Sequence, residues 1–72
     1  MITLEQAKSL KLGTYLGIEG QKDKYGNPRK WKVNGKVKLW KRNPERIEIP
    51  VKYGLYNFDY ITEEILHLVS IL

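Results

Sequence analysis

From Arg46 to Lys52 the chain alternates without a break. Ile47, Ile49 and Val51 fall on one side, with Glu48, Pro50 and Lys52 on the other. A period of two sends successive side chains to opposite faces of an extended strand, so this segment has one apolar and one solvent-facing side. Such a strand needs a sheet whose other members share its apolar face. The proline adds a second constraint. It has no N–H to give to a ladder, so its nitrogen must face a bulge or a free edge.

Other short runs supply the sheet. Thr14 to Glu19 has strand composition, with Leu16 and Ile18 on one face. Gly20 to Pro28 is rich in breakers and polar residues and reads as the longest loop, solvated rather than packed. Asn34-Gly35 is a turn signal between two alternating runs, so a hairpin is expected from Arg29 to Arg42. A two-residue turn would mix lysines with valines on each face. A three-residue connection, Asn34-Gly35-Lys36, pairs Val33 with Val37 and Trp31 with Leu39 and leaves those four on one apolar face. Lys30, Lys32, Lys38, Trp40 and Arg42 then share the opposite face.

Asn43-Pro44-Glu45 reads as a turn, and Gly54 ends the strand that follows it. Leu55 to Ile61 reads as another extended piece, with Tyr56, Phe58 and Tyr60 on a face expected to be packed. Thr62-Glu63-Glu64 has the look of a one-turn helix start, with acids at the positive end. His67 to Ile71 is apolar enough for a closing strand. At the other terminus Thr3 and Gln6 have capping-box spacing, Ile2 and Ala7 occupy the staple positions, and a helix of about two turns ends near Ser9 or Leu10.

One short helix with four to six closely spaced strands implies a mainly β fold. In 72 residues it implies one domain, residues 1–72, with a small core. The fold class expected is a small SH3-like β-barrel with a short N-terminal α-helix and a one-turn helix before the last strand. An oligonucleotide-binding barrel is the alternative, though it usually takes a longer chain.

The charge is not spread evenly. Arg29 to Arg46 holds eight basic residues and one acid, a local balance of +7, while the rest of the chain holds five basic residues and seven acids, a balance of −2. A concentrated positive element points to a polyanionic partner. The expectation is a nucleic-acid-binding module acting through the 29–42 hairpin, phosphate-dominated and largely sequence-independent, on DNA or RNA. Lys30, Lys32, Lys38 and Arg42 would supply charge and Trp40 a stacking or wedging contact. A competing role for Trp40 is to bend over the barrel rim and finish the core. The alternative function, from a different class, is a protein-interaction module docking on an acidic partner, with tyrosines as contact area.

The stretch RKWKVNGKVKLWKRNP, followed by IPVKYGL and YIT, resembles the small, mostly uncharacterised proteins of phages and other mobile elements. That likeness spans most of the chain. It implies a phage or prophage setting, in which the protein alternative becomes an accessory factor or inhibitor, and it brings no catalytic residues with it. Leu55-Tyr56-Asn57-Phe58-Asp59-Tyr60 is similar to the ALYDY-type opening of eukaryotic SH3 domains. Here it lies near the C-terminus, no acidic specificity loop follows, and the tandem tryptophan pair is missing, so no role is carried over.

Catalysis is not expected. Glu63 and Glu64 are neighbours that point apart, and Ser9 and Ser70 have no histidine–acid partners in view. With no cysteine and one histidine, His67, neither a metal site nor a disulfide is expected. No cofactor is implied. The absence of a long apolar run or a secretory start sets the expectation at no membrane association and a cytoplasmic location.

Overall fold

The alternating segment is β4 (Ile47–Tyr53), and the sheet is laid out around it. The computed structural model describes all 72 residues. In order they form α1 (Leu4–Lys8), β1 (Tyr15–Ile18), β2 (Trp31–Val33), β3 (Lys38–Leu39), β4, β5 (Asn57–Thr62), a 3-10 helix (Glu63–Leu68) and β6 (Val69–Ile71). All pairings are antiparallel. One side of β4 takes β5, the other takes β3 and then β2, and the sheet continues from β2 to β1 and β6. The result is a mainly β fold of SH3-like type, a curled half-barrel with a short N-terminal helix and a 3-10 helix before the last strand. That helix spans six residues, longer than the single turn the sequence suggests.

The inner face carries the core. Leu16, Val33, Ile47, Ile49, Val51, Ile61 and Val69 are almost fully buried there. Their sum is the main stabilising term, at about 1.5–3 kcal/mol for each large aliphatic side chain fully buried. Ile2 and Ala7 from the α1 region and Leu66 from the 3-10 helix join the same cluster. The capping box forms as its spacing implies: the Thr3 Oγ1 accepts from the Gln6 N–H at 3.1 Å, and the Gln6 Oε1 accepts from the Thr3 N–H at 2.9 Å. The 3-10 helix is tied to β4 by the Ile47 N–H, which donates to Glu63 Oε1 at 3.0 Å.

The hairpin expected between Arg29 and Arg42 does not form. Val33 pairs with Val51 and Leu39 with Ile47, so both halves run alongside β4 rather than against each other. Between Val33 and Lys38 lie four residues, where β4 has only Ile49 and Pro50 between their partners, so Asn34 to Val37 is a two-residue bulge. Pro50 explains it. The Asn34 N–H donates to the Pro50 carbonyl at 2.8 Å, but Pro50 has nothing to donate in return. The ladder stops, and the chain bulges past the missing donor. Gly35 crosses directly over the proline ring: a Cβ placed there would sit 3.2 Å from Pro50 Cγ. A bulge, not a turn, is therefore what Asn34-Gly35 builds.

The Gly20–Pro28 loop has more internal structure than its composition suggests. Asp23 Oδ1 accepts from the N–H groups of Tyr25 and Asn27 at 2.9 and 3.0 Å, and Lys22 bridges to Pro28. Trp31, 8% exposed, donates its indole N–H to Gln21 Oε1 at 2.8 Å and so anchors the loop to β2.

If the proline ring is the obstacle, Gly35→Val should cost about 1–3 kcal/mol, as overpacking does. The loss should shrink in a Pro50→Ala background. Urea melts of the two single variants and the double variant measure it, and equal losses in both backgrounds would remove the ring from the account.

Candidate functional site

Neither helix covers the outer face of the sheet, and its residues follow from the register. Tyr15 pairs with Lys32, Lys32 with Lys52, and Lys52 with Phe58. Cross-strand partners share a face, so Tyr15, Lys32, Lys52 and Phe58 form one row across β1, β2, β4 and β5. Tyr60 stands beside it, opposite Pro50. The three rings are open to solvent at 45% for Tyr15, 63% for Phe58 and 60% for Tyr60. Both lysines are half-buried, their stems lying along the face. Two like charges directly opposed on neighbouring strands cost stability unless an anion lies between them. This is the least comfortable pairing in the sheet.

The five residues singled out from the sequence fall in three places. Lys32 and Lys38 lie on the outer face, and Lys30 lines a shallow surface depression with Tyr15 and Leu72 beside the row. Lys38 stands opposite Glu48 rather than another cation. Trp40 is half-buried beyond the end of β3, with Lys38 Nζ 5.0 Å and Arg46 Cζ 4.5 Å from its ring centroid. Each such cation–π contact contributes about 0.5–1 kcal/mol at an exposed site, so the indole holds two cations in place. Arg42 is exposed in the loop between β3 and β4.

Two expectations about apolar residues are corrected. Leu39 faces the same side as Ile47 but is 55% exposed, because it ends a two-residue strand at the rim and nothing covers it. Val37, in the bulge, is half-buried against the core. Phe58 and Tyr60 are not a packed face, since the core lies on the other side of β5, and Tyr56 sits exposed in the turn. Lys52, Tyr15, Phe58 and Tyr60 were absent from the sequence-derived set. The signal for Lys52 was present in the outer positions of β4, but it has meaning only once β2 is known to lie beside it.

Negative charge collects elsewhere. Glu45, Glu48, Glu63 and Glu64 line an open groove with Arg46 at the loop end of β4. The Lys32–Lys52 row and this groove give the molecule a cationic and an anionic region. Only the first suits a polyanion.

No family model, curated protein or solved structure matches the chain. No helix is long and apolar enough to cross a membrane.

Replacing Lys52 by Glu turns the opposed cations into an opposite-charge pair. The variant is expected to gain about 0.2–1 kcal/mol in urea melts at low salt and to lose that gain at high salt. A loss of stability at low salt would show that the two ammonium groups do not feel each other.

Proposed function

We propose that this chain binds single-stranded nucleic acid across the outer face of its sheet. The observation that carries the reading is the row Tyr15, Lys32, Lys52, Phe58, in which two opposed cations are bracketed by two solvent-exposed rings. Lysines at that spacing attract phosphates, and the flanking rings offer surfaces on which unstacked bases lie. Tyr60 adds a third ring, and Lys30, beside Tyr15, extends the positive area.

Shape favours a single strand over a duplex. Four strands spaced about 4.8 Å apart span about 14 Å between the outer two, before side chains are counted. A major groove is about 12 Å wide and admits a helix or a two-stranded ribbon, so this face does not enter it. The exposed rings would also find no free base surface inside a stacked duplex.

A second reading has an observation of its own. Leu55 and Tyr56 project from the Gly54 turn at 78% and 86% exposure, an apolar tip suited to a protein surface. In that reading the cationic row docks on an acidic protein.

Fluorescence anisotropy with labelled single-stranded oligomers separates the two. Binding is expected to weaken steeply with salt, with a log–log slope of about 0.7 per phosphate contacted. Lys32→Glu combined with Lys52→Glu should lower both affinity and slope. Phe58→Ala or Tyr60→Ala should each cost about 1–3 kcal/mol of binding where a base stacks on the ring. Circular dichroism should show these variants folded, because all four side chains lie off the core. Undiminished affinity in the folded charge-reversed variant would overturn the reading. Salt-insensitive oligomer binding, together with nuclease-resistant capture of an acidic protein, would favour the second.

A further inference from the structure

On the other side of β5 from the row lies an open groove of about 470 Å³, lined by Arg29, Tyr53, Tyr56, Asn57, Phe58 and Asp59 among others; Tyr53 pairs with Asn57 and Val51 with Asp59, so these residues share the inner side of the sheet, beyond the core. Phe58 borders both surfaces at the free edge of β5, so a strand lying along the row reaches the groove by turning over that edge. The groove has a different character from the row. It has no lysine and contains a carboxylate, and the rest of its lining is mostly flat. The Arg29 guanidinium lies 5.3 Å from the centroid of the Tyr53 ring, and Tyr53 in turn lies 5.7 Å from Trp31. Aromatic rings and a guanidinium plane are surfaces on which a base stacks. A carboxylate in the same lining disfavours a phosphate.

Asp59 is held in place there. Its Oδ1 accepts from the Tyr60 N–H at 2.8 Å, and this N–H points off the free edge of β5 because Tyr60 and Pro50 form a non-hydrogen-bonded pair, with the Pro50 carbonyl turned to Asn34. A carboxylate has about four lone-pair sites and only accepts, so capacity remains for a ligand. Among the nucleobases, guanine alone presents two adjacent donors on its pairing edge, N1–H and the N2 amino group. Adenine and cytosine place a ring acceptor next to their amino group, and thymine and uracil flank one N–H with two carbonyls. Each of those sets a lone pair against Asp59.

We infer that this groove is a base-reading site that prefers guanine, placed at one end of the strand held by the outer face. It rests on the single-strand reading above and adds to it a choice of base. The row tolerates any base because every base has a π face. The groove does not, because its carboxylate discriminates by hydrogen-bond pattern.

The test uses a short thymidine oligomer, the same oligomer with one guanine, and the same with hypoxanthine in place of that guanine, which deletes the N2 amino group alone. The guanine oligomer is expected to bind about tenfold more tightly than the thymidine one, the usual order for a two-donor contact, and hypoxanthine should lose most of that gain. Asp59→Asn keeps an oxygen for the Tyr60 N–H, so the edge stays capped. It should erase the guanine advantage while leaving thymidine binding in place. Equal binding of guanine and hypoxanthine, or an unchanged guanine preference in folded Asp59→Asn, overturns the inference and leaves the single-strand reading standing. Failure of every oligomer to bind overturns both. Ribo- and deoxyribo-oligomers in parallel arms separate the two kinds of strand. A guanosine monophosphate arm that binds as tightly as the oligomer would place the site on a free nucleotide and overturn its assignment to a strand.

Discussion

Pro50 sets the layout of this sheet. It sits in β4, which takes β5 along one side and both β2 and β3 along the other, and its missing N–H faces β2 and β3. A ladder cannot run unbroken past that point, so the neighbouring chain leaves it after Asn34 and rejoins it at Lys38, two residues out of step. Gly35 allows the crossing because it has no Cβ to strike the ring. The rest follows from that offset. Lys32 comes to stand against Lys52, Lys38 against Glu48, and Leu39 against Ile47 at an uncovered rim. On the other side of β4, position 50 forms a non-hydrogen-bonded pair with Tyr60, whose N–H therefore points off the edge, where Asp59 accepts it.

The faces were legible in the sequence, and the partners were not. Alternation states which side of a strand each residue occupies, and it placed Trp31, Val33, Ile47, Ile49 and Val51 inward and Lys32 and Lys38 outward, as found. A hairpin closed by three residues and a continuous strand with a two-residue bulge keep the same odd–even parity. The inferred faces therefore survived a wrong pairing. Asn34-Gly35 misled because turn propensity is local, whereas the demand it meets comes from a proline on a strand further along the chain. The same blindness hid Lys52. Its position on the solvent side of β4 was plain, but nothing in the order of residues says that Lys32 lies across from it. The capping box was fully readable, since donor and acceptor are three residues apart.

The tryptophans show how one residue type serves two ends. Trp31 is buried, stacks near Tyr53 and fastens the long loop through Gln21, so its contribution is to the fold. Trp40 is neither in the core nor free. It collects Lys38 and Arg46, two side chains that would otherwise sample many rotamers, and keeps their charges near the end of the outer face. Arg46 also lines the groove of glutamates at the loop end of β4 and Lys38 faces Glu48, so these two cations offset the acids there, while the Lys32–Lys52 row contains no acid and no charge is buried. A face of this kind draws little on the core. Its cost appears instead as the opposed pair Lys32 and Lys52.

The pairing of β1 with β6 joins Leu16 to Ile71, fifty-five positions apart, whereas the pairings from β1 to β5 join residues no more than twenty apart. Closing so long a loop is entropically the dearest step in ordering this chain, so the β1-to-β5 part assembles early and β6 docks late. By the same reasoning β6 is the first to come away. Its departure uncovers β1, where the Tyr15 carbonyl loses the Leu72 N–H that donates to it at 3.0 Å. The three residues of β6 thus act as the clasp of the half-barrel, and the molecule's kinetic durability rests on how long that clasp holds.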